Sequence, residues 1–300
     1  MYDKMSYTIN MDSKKLEILM TAVDLGSFIK AAEVVGYTQS GLTHMMDSLE
    51  KEVGFALLKR SHSGIELTKE GKILEPLIKD CLKANALLES SINELKSSAK
   101  STIKVAAYAS IAMHWMPEIL YRFKRICPDV SVELQMVDHA LEPFELLEKG
   151  LCDVIFASKQ DYDKLNWIPL YEEKMYAILP KDYPLENKKS FPIKNFKNSV
   201  FLMPYGKFDI DVEKIMKPLN IEMNTEVSKV DDETLIRMVS RGLGISMMSE
   251  LMIRGRTDDV LCIPVSPVTK RQLGMGYSLG KPKDSILKLQ NCVIDYLKEK

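Results

Sequence analysis

The sequence has almost no excess of charge and no long apolar run. Its 41 Lys and Arg residues nearly balance its 42 Asp and Glu residues, so the composition favours no general attraction to nucleic acid or to anionic membranes. No stretch approaches the roughly 20 consecutive apolar residues of a membrane helix, and the N-terminal residues lack the apolar core of a signal peptide. We therefore expect a cytoplasmic protein without a membrane partner.

Cysteine and histidine are also scarce. Five cysteines, an odd number, occur at spacings unlike those of a metal site: Cys81, Cys127, Cys152, Cys262 and Cys292. Reduced thiols are the simplest interpretation, with a redox-sensing disulfide as the alternative. The four histidines fall in no GxSxG, HExxH or Cys/His signature: His44, His62, His114 and His139. We therefore predict no catalytic residue, no metal and no cofactor, and we do not expect an enzyme.

The most informative segment, residues 26–71, reads as two short helices joined by a tight turn and followed by a β-hairpin. The first helix runs from the N-cap Ser27 to Gly36, where glycine tolerates the left-handed conformation that a sharp turn needs. The second helix begins near Thr38, and its apolar residues fall on one buried face. These residues are Leu42, Met46, Leu49 and Val53.

The opposite face of the second helix is polar, and it is followed by a hairpin with a turn at residues 61–64. Lys59 and Arg60 precede that turn, and basic residues at a hairpin tip suit a wing that grips a phosphate backbone. Residues 1–100 contain only 13 Lys and Arg against 14 Asp and Glu, so any DNA affinity must come from local placement. Two amphipathic helices within a core would be the alternative interpretation of the helix pair.

These residues resemble the LysR-type transcriptional regulators. The match consists of short motifs from the first helix to the hairpin: Gly26-Ser27-Phe28, Ala31-Ala32, Thr38-Gln39-Ser40, Leu42-Thr43, Leu49-Glu50, Gly54, Leu57-Leu58, Arg60, Leu67-Thr68 and Gly71. The resemblance extends over nearly the whole chain. It implies an N-terminal winged helix-turn-helix, a long linker helix, and an α/β effector domain of two doubly wound subdomains, similar to type 2 periplasmic binding proteins.

The resemblance places the DNA-binding residues on the two short helices and the hairpin: Ser27, Lys30, Gln39, Ser40, Thr43, His44, Asp47, Lys59, Arg60 and His62. Base contacts are expected from Gln39, Ser40 and Thr43, and phosphate contacts from the basic residues of the hairpin. Relatives often carry a basic residue where this chain has His44 and Asp47, so we expect an unusual operator preference and a modest affinity.

From residue 68 to about residue 98, apolar residues recur at three- and four-residue steps: Ile73, Leu77, Cys81, Leu82, Ala84, Leu88, Ile92 and Leu95. Pro76 is expected to kink this helix or delay its start. A long helix with one apolar stripe usually packs on a copy of itself, although an ordinary intradomain helix would show the same pattern. The resemblance implies a homodimer through this helix, extended to a homotetramer, and residues 96–101 read as a hinge.

Beyond residue 101, strands and helices alternate as in a doubly wound sheet. The predicted strands are 103–107, 130–136, 154–157, 199–203, 225–227, 245–248 and 275–279, and the predicted helices are 111–125, 143–149, 212–219, 232–241 and 285–297. The last strand and helix are expected to return to the first half. The predicted domains are the winged helix-turn-helix at 11–69, the linker helix and hinge at 70–100, and the effector-binding domain at 101–300, with subdomain I at about 101–177 and 275–300 and subdomain II at about 178–274.

Open α/β sheets bind ligands at the carboxyl ends of their strands, which predicts an effector cleft between the two halves. Most candidate residues lie at strand ends or before helices, and the resemblance implies that residues 138–140 and the segment from Met203 face the pocket. The full set is Ser110, Asp138, His139, Ala140, Met203, Pro204, Tyr205, Phe208, Asp231, Asp232 and Tyr277. Ser110 is expected to cap the next helix. Asp231 and Asp232 either cap a helix or face the cleft, where they would disfavour a dianionic effector and favour hydroxyl or amine groups. Residues 242–244 (Gly-Leu-Gly) follow a helix and lack a third glycine, so they predict no dinucleotide site.

The sequence therefore predicts a sequence-specific, DNA-binding transcriptional regulator that is controlled by an unidentified small-molecule effector. Its expected partners are double-stranded DNA carrying an interrupted inverted repeat near a promoter, a second copy of the chain, and the transcription machinery. The alternative is an α/β solute-binding protein or enzyme whose N-terminal helices serve only oligomerisation.

Overall fold

A computed structural model describes residues 12–61, 64–96, 101–137, 141–185, 187, 189–206 and 209–300. Contacts divide the chain into two compact units, residues 1–96 and 97–300. Five predicted site residues lie outside the described part, as does most of the predicted hinge: His62, Asp138, His139, Ala140 and Phe208. Among the described helices, none combines the length and the apolar character needed to cross a membrane.

The first unit is built on three helices, α1 (Ser13–Leu25), α2 (Phe28–Val35) and α3 (Gln39–Val53). As predicted, Ser27 caps α2, and Gly36 ends it with a φ of 72°. The side chain of Asp12 caps α1 by accepting a hydrogen bond from the backbone N–H of Lys14 at 2.9 Å. The three helices bury one common core, which includes Leu16, Leu19, Phe28, Ala31, Leu42, Met46 and Leu49.

A hairpin of strands β1 (Leu58–Ser61) and β2 (Gly64–Leu67) follows α3. Ser61 pairs with Gly64, which are the first and last residues of the turn predicted at 61–64. Gly64 has a φ of 122°, and a Cβ there would lie 2.5 Å from the carbonyl oxygen of Gly26. That oxygen accepts a hydrogen bond from Ile65 N–H at 3.0 Å. Glycine at position 64 therefore lets the hairpin pack against the start of the helix pair.

The long helix α4 (Lys69–Lys96) leaves the hairpin directly. Thr68 precedes it, and the Thr68 hydroxyl accepts a hydrogen bond from Gly71 N–H at 3.0 Å. The helix begins seven residues before Pro76 and continues past it, so the predicted delay is wrong. One face of α4 packs on the core of the first unit through Leu74, Ile78 and Leu82.

The second unit contains one long mixed sheet of eight strands. They are β3 (Ser101–Tyr108), β4 (Val130–Val137), β5 (Val154–Ser158), β6 (Leu165–Pro180), β7 (Phe191–Pro192), β10 (Ser246–Ser249), β11 (Val260–Ser266) and β12 (Lys270–Ser278). The order is β4-β3-β5-β12-β6-β11-β7, with β10 also paired to β6. A separate parallel pair joins β8 (Val200–Met203) to β9 (Asn224–Val227). The predicted doubly wound α/β class is confirmed, with an antiparallel join between its halves.

The helices of this unit are α5 (Ala109–His114), α6 (Met116–Ile126), α7 (Glu142–Glu148), α8 (Ile210–Met216), α9 (Asp232–Ser240), α10 (Glu250–Ile253) and α11 (Asp284–Lys298). The prediction of one helix over 111–125 is wrong, because the helix is interrupted at Trp115. A new helix, α6, starts at Met116 with Pro117 in its first turn. The helix predicted at 212–219 instead begins at Ile210 and ends at Met216, followed by a 3-10 turn at Lys217–Leu219 that contains Pro218.

The described residues of the second unit bury three separate cores, one mainly in its first half and two in its second half. Trp115, Phe123 and Phe156 belong to the first core, together with Leu289 and Val293 of α11. The second core contains three aromatic rings in a row, with centroid distances of 4.9 Å and 5.2 Å: Phe191, Phe196 and Phe201. Strand β6 runs through both halves, pairing with β12 up to Lys174 and with β10 from Met175. The boundary predicted at residue 177 therefore lies inside one continuous strand.

Candidate functional site

The outward face of α3 gathers the predicted base-reading residues in one shallow depression: Gln39, Ser40, Thr43, His44 and Asp47. Thr43 is half-buried and the other four are exposed. Thr38 caps the helix, because its hydroxyl accepts a hydrogen bond from Gly41 N–H at 3.1 Å. The Thr43 hydroxyl donates to the Gln39 carbonyl at 3.0 Å, which leaves its oxygen lone pairs directed outward as acceptors.

The predicted phosphate-binding residues flank this face. Ser27 is committed to the cap of α2, where its hydroxyl accepts from Lys30 N–H at 3.4 Å, while the Lys30 side chain is exposed. Lys59 Nζ lies 2.9 Å from Glu66 Oε2 across the hairpin. Exposed pairs of this kind contribute little, so a phosphate can replace Glu66 at small cost. Arg60 lies in β1 opposite Ile65, and its side chain is outside the described part.

Glu50 fixes the hairpin to α3, and sequence reasoning did not assign it a role. One carboxylate oxygen, Oε1, accepts hydrogen bonds from the backbone N–H groups of Leu57 at 2.6 Å and Leu58 at 2.8 Å. Charge-assisted bonds of this length are the stronger kind. The signal in the sequence was weak: Glu50 is a carboxylate beside the buried Leu49, one turn before the helix ends.

In the second unit, a cavity of about 80 Å³ opens between the ends of β3 and β8 and the starts of α8 and α9. Five predicted residues line it: Ser110, Met203, Pro204, Tyr205 and Asp232. Asp231 is exposed and caps α9 by accepting from Thr234 N–H at 2.8 Å, which is the capping alternative of the prediction, and it does not line this cavity. Tyr277 packs against the first core, because its strand β12 runs away from the cleft at that point.

Ser110 lies within α5 rather than at its N-cap, so the predicted capping role is wrong. The cap position is Tyr108, whose side chain makes no capping bond. Ser110 is 1% exposed, and its hydroxyl has no hydrogen-bond partner among the described residues. A buried hydroxyl without a partner costs free energy. This side chain therefore contributes an open hydrogen-bonding position to the cavity wall.

Arg271 forms the floor of the cavity, and sequence reasoning missed it because the last strand was predicted to begin at residue 275. Its Nε lies 2.5 Å from Glu173 Oε1, one terminal nitrogen lies 3.0 Å from Asp211 Oδ2, and the other lies 2.9 Å from Ser249 Oγ. Burial lowers the pKa of Arg271, but the charges of Glu173 and Asp211 more than reverse this effect. The guanidinium therefore stays charged in the interior.

The carboxylates of this cluster are well satisfied. Asp211 Oδ1 also accepts hydrogen bonds from the Ser158 hydroxyl and from Gln160 Nε2, both at 2.9 Å. Glu173 Oε2 accepts from Leu251 N–H at 3.1 Å. The cluster thus joins β5, β6, α8, α10 and β12 around one guanidinium, and it spans the two halves of the unit.

Two further carboxyl groups line the cavity. Asp209 caps α8 by accepting from Asp211 N–H at 2.7 Å and Val212 N–H at 3.1 Å. Burial and the charge of Asp211 raise its pKa. Asp232 accepts a hydrogen bond from the Tyr205 hydroxyl at 2.7 Å, and burial raises its pKa despite that bond. Each carboxyl group is therefore held in an environment that penalises its negative charge.

Potential metal ligands are dispersed in the described part of the chain. No group of three or more His, Cys, Asp or Glu residues there is arranged to hold a metal ion. All five cysteines are free. Burial raises the pKa of Cys152 to about 12 and that of Cys262 to about 11, which keeps both thiols protonated and unreactive at neutral pH.

Comparisons with known proteins agree over the whole chain. Residues 13–72 match the bacterial regulatory helix-turn-helix protein model of the lysR family, and residues 96–300 match the LysR substrate binding domain. The HTH-type transcriptional regulator YybE of Bacillus subtilis is 23% identical over 275 residues, covering 90% of this chain and 94% of its own. Two solved structures share the fold. Full-length BenM has a TM-score of 0.60 at 19% sequence identity, and the match covers 96% of this chain and 97% of the BenM chain. Full-length CbnR complexed with its target DNA has a TM-score of 0.58 at 18% identity, and the match covers 95% of this chain and 100% of the CbnR chain.

Proposed function

The chain belongs to the LysR family of bacterial transcriptional regulators, and on that premise we propose that it reads an operator with α3 and responds to a small molecule in the cleft of its second unit. The observation that carries the proposal is the outward face of α3, where exposed polar side chains surround a capped helix start. This face suits base edges in a major groove. No described residues form a catalytic constellation that would favour an enzyme, and we propose that the protein acts in the cytoplasm, where its DNA is.

The chemistry of the side chains indicates which residues contact bases and which contact phosphates. Gln39 offers the donor and acceptor pair that reads adenine, while Ser40 and Thr43 offer hydroxyl groups to base edges. Lys30 and the basic residues of the hairpin flank α3, so we expect them to contact phosphates rather than base edges. Asp47 can accept from a cytosine amine but repels phosphate, so affinity rests on specific contacts more than on charge.

The test is titration of the purified chain against its own upstream intergenic DNA and a scrambled duplex at two salt concentrations. A preference of about tenfold or more that persists at the higher salt supports sequence reading, since phosphate contacts weaken with salt. Equal binding to both duplexes contradicts it. The rival solute-binding or enzymatic function predicts that Arg60→Ala changes nothing, whereas regulation predicts a loss of operator affinity with the fold intact.

We predict that Gln39→Ala and Lys30→Ala weaken DNA binding in different ways. Gln39→Ala should cost about 1–3 kcal/mol on the operator and little on the scrambled duplex, because it removes a base contact. Lys30→Ala should weaken both duplexes alike and reduce the salt slope by about one, because it removes a phosphate contact. Fluorescence anisotropy at several salt concentrations measures both effects. A uniform loss for Gln39→Ala would remove it from the base-reading set.

We further propose that α4 joins two copies of the chain. A second stripe of apolar or small side chains on this helix is exposed, beside the face that packs on the first unit: Ile73, Leu77, Cys81, Ala84, Leu88 and Ile92. The spacing of four, four, three, four and four residues matches a helix that packs on another helix. A dimer would present two α3 helices to the two halves of an inverted repeat, and a homotetramer would extend the same arrangement.

We predict that Leu77→Glu separates the dimer without unfolding the chain. Leu77 is 63% exposed in the single chain, so the fold tolerates a charge there, whereas burying that charge against a partner would weaken association about 100-fold or more. Sedimentation velocity should show monomers, with an unchanged circular dichroism spectrum. Lys72→Glu is the matched control, since Lys72 is exposed elsewhere on α4. A Leu77→Glu chain that stays dimeric would place the interface on another surface.

A further inference from the structure

The described lining of the cleft has more acidic than basic side chains. Among the described residues that line it, Arg271 is the positive group, whereas Asp209, Asp211 and Asp232 are carboxyl groups. Buried Glu173 adds a fourth carboxyl group against the same guanidinium. The cavity wall therefore carries more acidic groups than its one described cation can balance.

Arg271 is already engaged by acceptors of the chain, through three of its five N–H groups. All three of its guanidinium nitrogens donate to acceptors of the chain, namely Glu173, Asp211 and Ser249. An anion would have to compete with two carboxylates that already neutralise the guanidinium. Arg256 acts on Asp232 from outside the cavity, but it lies 3.6 Å from Glu233 and does not line the wall. The field inside the cleft therefore disfavours a carboxylate or phosphate.

Asp209 and Asp232 are the acidic groups that lack a cationic partner at hydrogen-bond distance among the described residues. Asp209 bonds to backbone N–H groups and Asp232 to a tyrosine hydroxyl. They lie close enough for the charge of Asp209 to act on Asp232. Burial penalises the negative charge of both groups, the charge of Asp211 adds to this penalty at Asp209, and the charge of Asp209 adds to it at Asp232. A bound cation would relieve these effects.

Ser110 provides an independent sign that the cavity receives a polar ligand. Its hydroxyl is buried, faces the same cavity, and has no hydrogen-bond partner among the described residues. A ligand N–H group would supply the missing partner.

The rest of the wall is apolar and adaptable. Five methionines line the cavity: Met175, Met203, Met247, Met248 and Met252. Thioether side chains pack well against alkyl groups and adjust to irregular shapes. The volume of about 80 Å³ is about half of the ~150 Å³ cavity that holds benzene. The wall therefore fits a small ligand with a short apolar body.

We propose that the effector is a small organic cation, whose ammonium group binds between Asp209, Asp232 and the Ser110 hydroxyl while its alkyl body packs on the methionines. This assignment rests on the proposed effector function of the cleft and names the chemical class of its ligand. The cation would bind these two carboxyl groups directly, whereas the described arginines act on them only from a distance.

The test uses three probes of the same size on the full chain: propylamine, propanol and propionate. Ligand-observed NMR titration at up to about 50 mM suits them, since ligands of a few heavy atoms bind weakly. We expect saturable binding of propylammonium alone, weakened tenfold or more by Asp232→Asn and by Asp209→Asn. Both substitutions keep the hydrogen-bond acceptor, and asparagine is also a good N-cap. The matched control is Glu213→Gln, an exposed carboxylate on α8 that does not line the cavity, which should leave binding unchanged.

Two outcomes overturn the assignment: propionate binding as tightly as propylamine, or no saturable binding of any probe. An equal loss in Glu213→Gln would also overturn it, because the effect would then be a general one of surface charge. Operator binding is measured in parallel without any probe. Specific DNA binding without amine binding rejects the cationic effector and keeps the regulator, whereas loss of specific DNA binding rejects the proposed function itself.

Discussion

Replacing Arg271 with methionine is expected to lower the free energy of unfolding of the second unit by about 3–5 kcal/mol. Glu173 and Asp211 are almost fully buried, and the guanidinium supplies their counter-charge at 2.5 Å and 3.0 Å. Removing it leaves two carboxylates without a positive partner in the interior, which costs far more than the pair contributed when intact. Methionine keeps most of the side-chain volume, so the loss of stability reflects the missing positive charge and not a new cavity.

Both tryptophans of the chain, Trp115 and Trp167, lie in the second unit, so urea unfolding followed by tryptophan fluorescence isolates its stability. The control is the neighbouring pair of Lys270 and Glu172, also between β12 and β6, with 2.9 Å between Nζ and Oε2 but both side chains exposed. Lys270→Met should cost less than about 1 kcal/mol. Similar losses in both variants would mean that solvent reaches the Arg271 cluster and that it is not a buried network.

Glu50→Ala is expected to destabilise the first unit by about 2–4 kcal/mol and to reduce operator affinity at least tenfold, because it removes a charged acceptor from two backbone N–H groups. Leu57 and Leu58 begin the hairpin, so losing those bonds releases the wing from α3. Hydrogen exchange at these two amides measures the release directly. The tryptophans do not report on this unit, so circular dichroism follows its unfolding.

Glu50→Gln separates positioning from charge, since the amide oxygen can accept the same two bonds. We expect it to retain slow exchange at Leu57 and Leu58 and most of the operator affinity. An operator affinity unchanged in Glu50→Ala, with the amides exchanging fast, would show that the wing does not contribute to DNA binding. That result would leave α3 as the reading element by itself.

The features that the sequence predicts well depend on residues close together along the chain. Ser27, Gly36 and Thr38 set the helix limits through their own side chains or φ angles, and each acts within four residues. The buried face of α3 follows from helical spacing alone. Strand β5 is predicted because a parallel strand buried on both faces reads as an apolar run, whereas the edge strand β4 alternates apolar and polar residues.

The features missed depend on partners far along the chain. Strand β6 contains Pro169 and a charged stretch at residues 172–174, so it shows no strand periodicity, and its pairing with β12 joins residues about a hundred positions apart. The sequence does not reveal the Arg271 cluster either, because its members also lie far apart along the chain. Asp231 and Asp232 are adjacent and chemically identical, and only the direction of α9 decides which one caps the helix and which one faces the cleft.

The path of β6 and β12 has a consequence for synthesis on the ribosome. The strands of the second half are complete once residue 266 has been made, whereas the first half waits for β12 and α11 at the end of the chain. Until β12 is made, β5 is paired on the β3 side alone, and the first part of β6, residues 165–174, lacks its partner strand. Unpaired edges of this kind recruit other strands. Nascent or truncated chains that end before residue 270 are therefore the form of this protein most prone to aggregate.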